Sequence, residues 1–174
     1  MVTATEPKRK RKKSRPRVTN LKRKNTMDEK TLVLVSGGFD PLHSGHIAFF
    51  KAAKELGTLG VAVNSDDWLI RKKGKYFMNV AERMSIIKEL KCVDVATEFR
   101  DKDDTANDAI YMALEIYDRV IFCNGGDRTK SNIPEMEKYG DNPRVSFVFG
   151  VGGDDKKNSS SWILNRWNEE ASVR

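Results

Sequence analysis

The sequence predicts an α/β fold in which about five parallel strands form a doubly wound sheet between two layers of helices. Three observations carry this. Short β-rich runs alternate with helical patterns from residue 31 onward. The helical stretches place apolar residues three and four apart. The most unusual loops follow the ends of strands, where sheets of this kind bind ligands.

The first strand candidate is TLVLVS (31–36), an apolar run that ends beside a glycine pair. HIAFFKAAKEL (46–56) follows as a helix, and Gly57 and Gly60 punctuate the return to a second strand, LGVAVN (59–64). VAERMSIIKEL (80–90) is the next helix, with Val80, Met84, Ile87 and Leu90 on one face. Asn79 and Glu82, three residues apart, read as a capping pair at its start. CVDVATE (92–98) is a third strand, TANDAIYMALEIY (105–117) a third helix, and RVIFC (119–123) and RVSFVF (144–149) are the last two strands. Strand and helix alternating at this pitch give a parallel sheet covered on both faces, a Rossmann-like three-layer α/β/α architecture.

At 174 residues the chain suits one domain with a sizeable core. Charge divides it into two parts. Residues 1–30 hold 12 of the 32 Lys and Arg and 3 of the 25 Asp and Glu, a net of 12 − 3 = +9. Residues 31–174 keep 20 basic and 22 acidic side chains, a net of −2. The overall basicity therefore describes a tail, and overall charge is no ground for reading the body as a nucleic-acid binder. The tail has almost no apolar residues and is expected to be disordered. Its basic clusters, Lys8 to Lys13 and Lys22 to Lys24, fit a polyanion-binding arm, an import-receptor contact through residues 8–24, or a solvated extension. There is no secretory core and no run of the ~20 apolar residues that a membrane span needs. Cys92 and Cys123 lie in strand-like apolar runs and read as small buried hydrophobes. The expected location is cytoplasmic, or nuclear if the tail is an import signal.

The loop after the first strand is SGGFDPLHSGH (36–46), and it contains both histidines of the chain. Gly37 and Gly38 permit tight turns and close approach of a ligand, and Pro41 fixes the turn. A helix then opens near Ser44, and its free N–H groups favour phosphate. His43 and His46 lie on one side of that helix end, where both can donate to phosphoryl oxygens. Zinc is the competing use of two histidines, but the sequence offers no further well-spaced ligands. A pair of surface histidines is the plain alternative. NSDD after the second strand and NGGDR after the fourth would converge on the same crevice.

GGFDPLHSGH matches the HxGH signature, in the context GxFDxxHxGH, and so resembles the nucleotidyltransferase superfamily. KGKYFMNVAER (73–83) is similar to a segment of the choline- and ethanolamine-phosphate cytidylyltransferases. AVNSD (62–66) and NGGD (124–127) look more like the bacterial heptose-phosphate adenylyltransferases. NSSSWIL (158–164) resembles the closing serine motif at the start of the last helix, with Leu164 where such motifs often carry Arg or Lys. These motifs span residues 31–167 in the family's order, so residues 31–174 are expected to be a cytidylyltransferase-like domain.

The resemblance implies roles. His43 and His46 hold the nucleotide's phosphates and stabilise the transferred group. Gly37, Gly38, Phe39, Asp40 and Gly45 shape the cradle. Lys73, on a mobile basic loop with Arg71, Lys72 and Lys75, bridges to the attacking phosphate, although such a charge run is also an ordinary solvated loop. Arg83 reaches the substrate phosphate, orients the site, or is an ordinary exposed helix arginine. Asp66, Gly125, Gly126 and Asp127 belong to nucleotide binding, the last three near base and ribose. Ser159, Ser160 and Ser161 offer hydroxyls and helix-start N–H groups to the outer phosphates. The same serines would serve equally as a helix cap.

The implied reaction moves a nucleoside monophosphate from ATP or CTP to a phosphate-ester acceptor and releases pyrophosphate. Acceptors compatible with the motifs are a sugar phosphate such as heptose 1-phosphate, or glycerol or amino-alcohol phosphate. Magnesium accompanies the triphosphate, with Asp40 as one candidate carboxylate, and no resident metal is expected. A homodimer is implied by resemblance. The alternative is a non-catalytic nucleotide-binding module that docks nucleic acid or a partner through its basic arm.

Overall fold

The computed structural model describes residues 29–126, 128–153 and 159–171. The basic tail, Asp127, Asn158 and the Asp154–Lys157 stretch lie outside them. Eleven elements are present among the described residues: β1 (Thr31–Gly37), α1 (Ser44–Lys54), β2 (Thr58–Val63), α2 (Asp66–Lys73), α3 (Val80–Lys88), β3 (Val95–Glu98), α4 (Asn107–Ile116), β4 (Arg119–Cys123), α5 (Glu135–Tyr139), β5 (Val145–Val148) and α6 (Ser160–Ala171).

All strand pairs are parallel, and the strand order is β3-β2-β1-β4-β5. Every strand expected from sequence is present. The order reverses at β1, which pairs β2 on one side and β4 on the other. That reversal opens a crevice beyond the carboxyl ends of β1 and β4.

Strand alternation builds the two cores. Along β1, Leu32 and Leu34 face the layer of α4, where they meet Ala109, Ile110 and Ala113. Val33 and Val35 face the opposite layer, with Phe50 and Ala53 of α1 and Met84 and Ile87 of α3. Neighbouring side chains on a strand point to opposite faces, so one apolar run serves both layers. Full burial of each Leu, Ile or Val stabilises by roughly 1.5–3 kcal/mol, which is why the central strands are apolar throughout.

Several boundaries differ from the sequence reading. Helix α1 starts at Ser44, two residues before the apolar stretch but where the loop reading opened it, and the ring of His43 caps it. Strand β3 starts three residues late, at Val95, and just before it the Asp94 carboxylate accepts the Leu59 N–H at 2.7 Å. The expected basic loop is a helix: Arg71, Lys72 and Lys73 form the last turn of α2, closed by Gly74 at φ +82. Three cations at a helix C-terminus favour its dipole, which the charge run concealed. Asn79 caps α3 as expected, its Oδ1 accepting the Glu82 N–H at 3.0 Å. Cys123 is buried and Cys92 half-buried, both free, and burial pushes the Cys123 thiol up to about 11.

Candidate active site

The turn between β1 and α1 is set by its own sequence. The peptide between Asp40 and Pro41 is cis, and Phe39 takes a left-handed φ of +49. The two histidines then interlock with the helix start. The Gly45 N–H donates to His43 Nδ1 at 3.1 Å, and the His43 N–H donates to His46 Nδ1 at 3.3 Å. An Nδ1 that accepts a backbone proton cannot carry one of its own. Both neutral rings are therefore assigned the tautomer with hydrogen on Nε2. The rings stack at 3.7 Å, and Phe39 meets His46 edge-on at 5.1 Å.

Burial is the main reason both histidines titrate low, and it pushes His46 down to about 3 with help from the charges of His43 and Lys73. At neutral pH His46 is thus an uncharged donor. Lys73 extends from the end of α2 and donates to the backbone oxygen of Asp40 at 3.2 Å. Ser160, 9% exposed, donates its hydroxyl to the Pro41 carbonyl at 3.0 Å and docks the start of α6 on the same turn. His46, Lys73 and Ser160 line one cleft of about 230 Å³, with Gly37, Gly38 and Phe39 at its floor.

Other expected site residues hold the frame. Asp40 is 1% exposed, and its two carboxylate oxygens accept the Phe77 and Met78 N–H groups at 2.7 Å each. It pins the segment after α2 through both of its oxygens. Arg83 is neither an exposed helix arginine nor a phosphate contact. It is 1% exposed, donating to the carbonyls of Met78, Gly38 and Asn64 at 2.7–3.0 Å and to Asp66 Oδ1 at 2.6 Å. Arg83 therefore ties the ends of β1 and β2 to α3, and Asp66 is its partner. The remaining sense of its expected role, orienting the site, is the one its contacts fit.

Gly125 packs so closely on Phe49 that a Cβ would lie 3.1 Å from that ring, and Gly126 has φ +65. Both shape the turn beyond β4 and do not line the cleft. Ser159 caps α6, its Oγ accepting the Trp162 N–H at 3.2 Å, while Ser161 is exposed. Asp127 lies outside the described residues.

In the far half of the cleft, sequence reasoning expected the NGGDR loop but gave no site role to Lys72, Thr105, Arg128 or Glu135 individually. Lys72 lies 4.3 Å over the ring of Trp68, and Arg128 reaches in from the loop after β4. Thr105 and the buried Glu135 complete that wall. Arg128 directly follows the NGGD motif, and that adjacency was a usable signal. Glu135 had none, because its role depends on packing against α4: its Oε1 accepts the Ala106 N–H at 2.6 Å.

The strand-end cleft and the interlocked histidines sit beside two helix starts, whose free N–H groups are chemically suited to an anion. A family model described as cytidylyltransferase-like matches residues 34–160, and the chain belongs to that family. It is 33% identical over 149 residues to the bifunctional protein HldE of Syntrophotalea carbinolica, covering 80% of this chain and 28% of that protein. The HldE of Geobacter metallireducens is 31% identical over 147 residues, covering 81% and 28%. The chain thus spans about 28% of the length of these curated relatives. Among solved structures, the lipopolysaccharide core biosynthesis protein from Thermoplasma volcanium superposes with a TM-score of 0.54 at 30% identity, covering 69% of this chain and 95% of that one. A protein of unknown function from Archaeoglobus fulgidus shares the fold, with a TM-score of 0.51 at 16% identity, covering 73% and 93%.

Proposed function

We propose that the protein transfers a nucleoside monophosphate from ATP or CTP to a phosphate-ester acceptor, with a sugar phosphate such as heptose 1-phosphate as the leading substrate. The observation that carries this reading is the tautomeric lock on His43 and His46. Backbone donors occupy both Nδ1 atoms, so the Nε2–H groups are left to serve a phosphoryl group. The likeness to a lipopolysaccharide core biosynthesis protein supports a sugar-phosphate acceptor.

In the reaction an oxygen of the acceptor's phosphate attacks the α-phosphorus, and the bond to the β-phosphate oxygen breaks in line. Pyrophosphate leaves with the electron pair. His43 and His46 donate to the α-phosphoryl oxygens as charge accumulates there. Lys73 draws the two anionic partners together, and the helix starts at Ser44 and Ser160 face the remaining phosphates. Among the described residues no three acidic, histidine or cysteine side chains cluster to hold a metal, and the Asp40 carboxylate is engaged. Magnesium therefore fits as part of the substrate, carried by the triphosphate's own oxygens and water.

The test is a matrix of each triphosphate against sugar, glycerol and amino-alcohol phosphates, with magnesium, following pyrophosphate release. Release with one pair supports the reading. Nucleotide binding without release from any pair supports the non-catalytic module.

A further inference from the structure

We propose that Trp68 is a positioning residue that holds the Lys72 ammonium inside the cleft, and that Lys72 so held is a contact for a substrate phosphate. The inference rests on the transferase reading above and assigns two residues to which that reading gives no part.

Trp68 and Lys72 stand four residues apart on α2, so their side chains share one face of that helix, and both line the cleft. The indole is fixed at its backbone and at its ring. Ser65 Oγ accepts the Trp68 N–H at 3.0 Å, and Ser65 is itself anchored, its N–H and hydroxyl each donating to the Asp101 carboxylate at 2.7 Å. At the cleft floor the ring packs on Gly38, where a Cβ would lie 3.3 Å from its Cζ3. Lys72 Nζ then sits 4.3 Å from the ring centroid, within the range where the negative face of an indole attracts a cation. A lysine stem is long and flexible, and its charged end otherwise extends into water. Here the ring draws it over the cleft.

An aromatic face attracts the charge of an ammonium but leaves its strong hydrogen bonds unmade. Lys72 has no ion pair among the described residues. Two carboxylates line the same cleft, and both are engaged elsewhere. Asp104 accepts from Arg71 at 2.9 and 3.1 Å, and Glu135 accepts the Ala106 N–H at 2.6 Å. Against them the cleft sets Lys72, Lys73 and Arg128, so positive charge is in excess. Partial burial lowers the Lys72 pKa, repulsion from Arg128 and Lys73 adds to it, and Asp104 offsets part of it. Cations kept this close favour an anion between them, and a phosphate oxygen supplies the acceptor that the indole does not. A pair of this spacing that served only the helix would stabilise it equally from the solvent face. This one is turned into the cleft.

The experiment is a double-mutant cycle on the full chain with Trp68→Leu and Lys72→Met, read by calorimetry and by initial rates. Magnesium pyrophosphate and inorganic phosphate are titrated separately, the first standing for the triphosphate and the second for the phosphate ester. Lys72→Met should weaken at least one of them by about tenfold and raise the KM of the matching substrate, with kcat held within about twofold. Trp68→Leu should reproduce most of that loss. Trp68→Phe keeps an aromatic face and should lose less, and it carries the cycle if Trp68→Leu does not fold. The double variant should bind no more weakly than Lys72→Met alone. Unchanged binding of both anions in Lys72→Met, or losses that add in the double variant, would overturn the inference while the transferase reading stands. Absence of turnover with every substrate pair would sink the transferase reading, and the titrations would still decide whether Trp68 acts through Lys72.

Discussion

At the residue scale, His46 carries the clearest consequences. Its Nδ1 accepts the His43 N–H, so the ring proton sits on Nε2, and with a pKa of about 3 the ring is neutral at pH 7. His46→Ala should lower kcat by on the order of 10²–10³-fold while the circular dichroism spectrum is retained. The same depressed pKa has a sign for stability. Between about pH 6.5 and 3 the unfolded chain binds a proton on this residue that the folded protein does not. Stability should therefore be unaffected by this group above pH 6.5 and fall as pH drops toward 3. Urea unfolding at stepped pH checks it: His46→Asn should show a shallower acid decline, and equal slopes would remove the assignment. Arg83 is the structural counterpart. Arg83→Met strands Asp66 and three carbonyls, and should cost about 3–5 kcal/mol in urea denaturation. The sequence singled out both residues as functional. It could not tell them apart, because inward or outward direction depends on neighbours 5 to 45 residues away.

At the scale of elements, α2 decides whether the cations reach the cleft. Gly38 allows α2 to lie against the end of β1: a Cβ there would come within 2.7 Å of Leu69 and 3.3 Å of Trp68. Gly38→Ala should push α2 outward, cost about 1–3 kcal/mol from overpacking, and raise the acceptor's KM more than the triphosphate's. Thermal unfolding and initial rates test it together, and an unchanged KM would show that α2 does not position Lys72 and Lys73. The two ends of α2, NSDD and the basic run from Arg71, read as loops because DDWLIRKK carries little apolar periodicity. What makes it a helix is a Ser65 cap, its Oγ accepting the Trp68 N–H at 3.0 Å, and the left-handed Gly74. Helices α1, α3 and α4 were legible because each buries a stripe of its own residues.

At the scale of the whole molecule, the folded body and the basic tail differ in sign, −2 for residues 31–174 against +9 for residues 1–30. If the tail is the polyanion contact, removing residues 1–28 should abolish salt-sensitive heparin binding and leave pyrophosphate release unchanged. Unaltered heparin affinity would move the contact to the body. Among the described residues no helix is long and apolar enough to cross a membrane.

The chain's local patterns determined the α/β class, the five strands and the histidine-bearing turn, because alternation, helical spacing and glycine placement act over a few neighbouring residues. Tertiary structure alone decided which charges meet. Lys72, Arg128 and Glu135 are separated by up to 63 residues, and only the strand order β3-β2-β1-β4-β5 brings their loops to one wall. Charge compensation depends on distance in space, and a linear sequence does not record it.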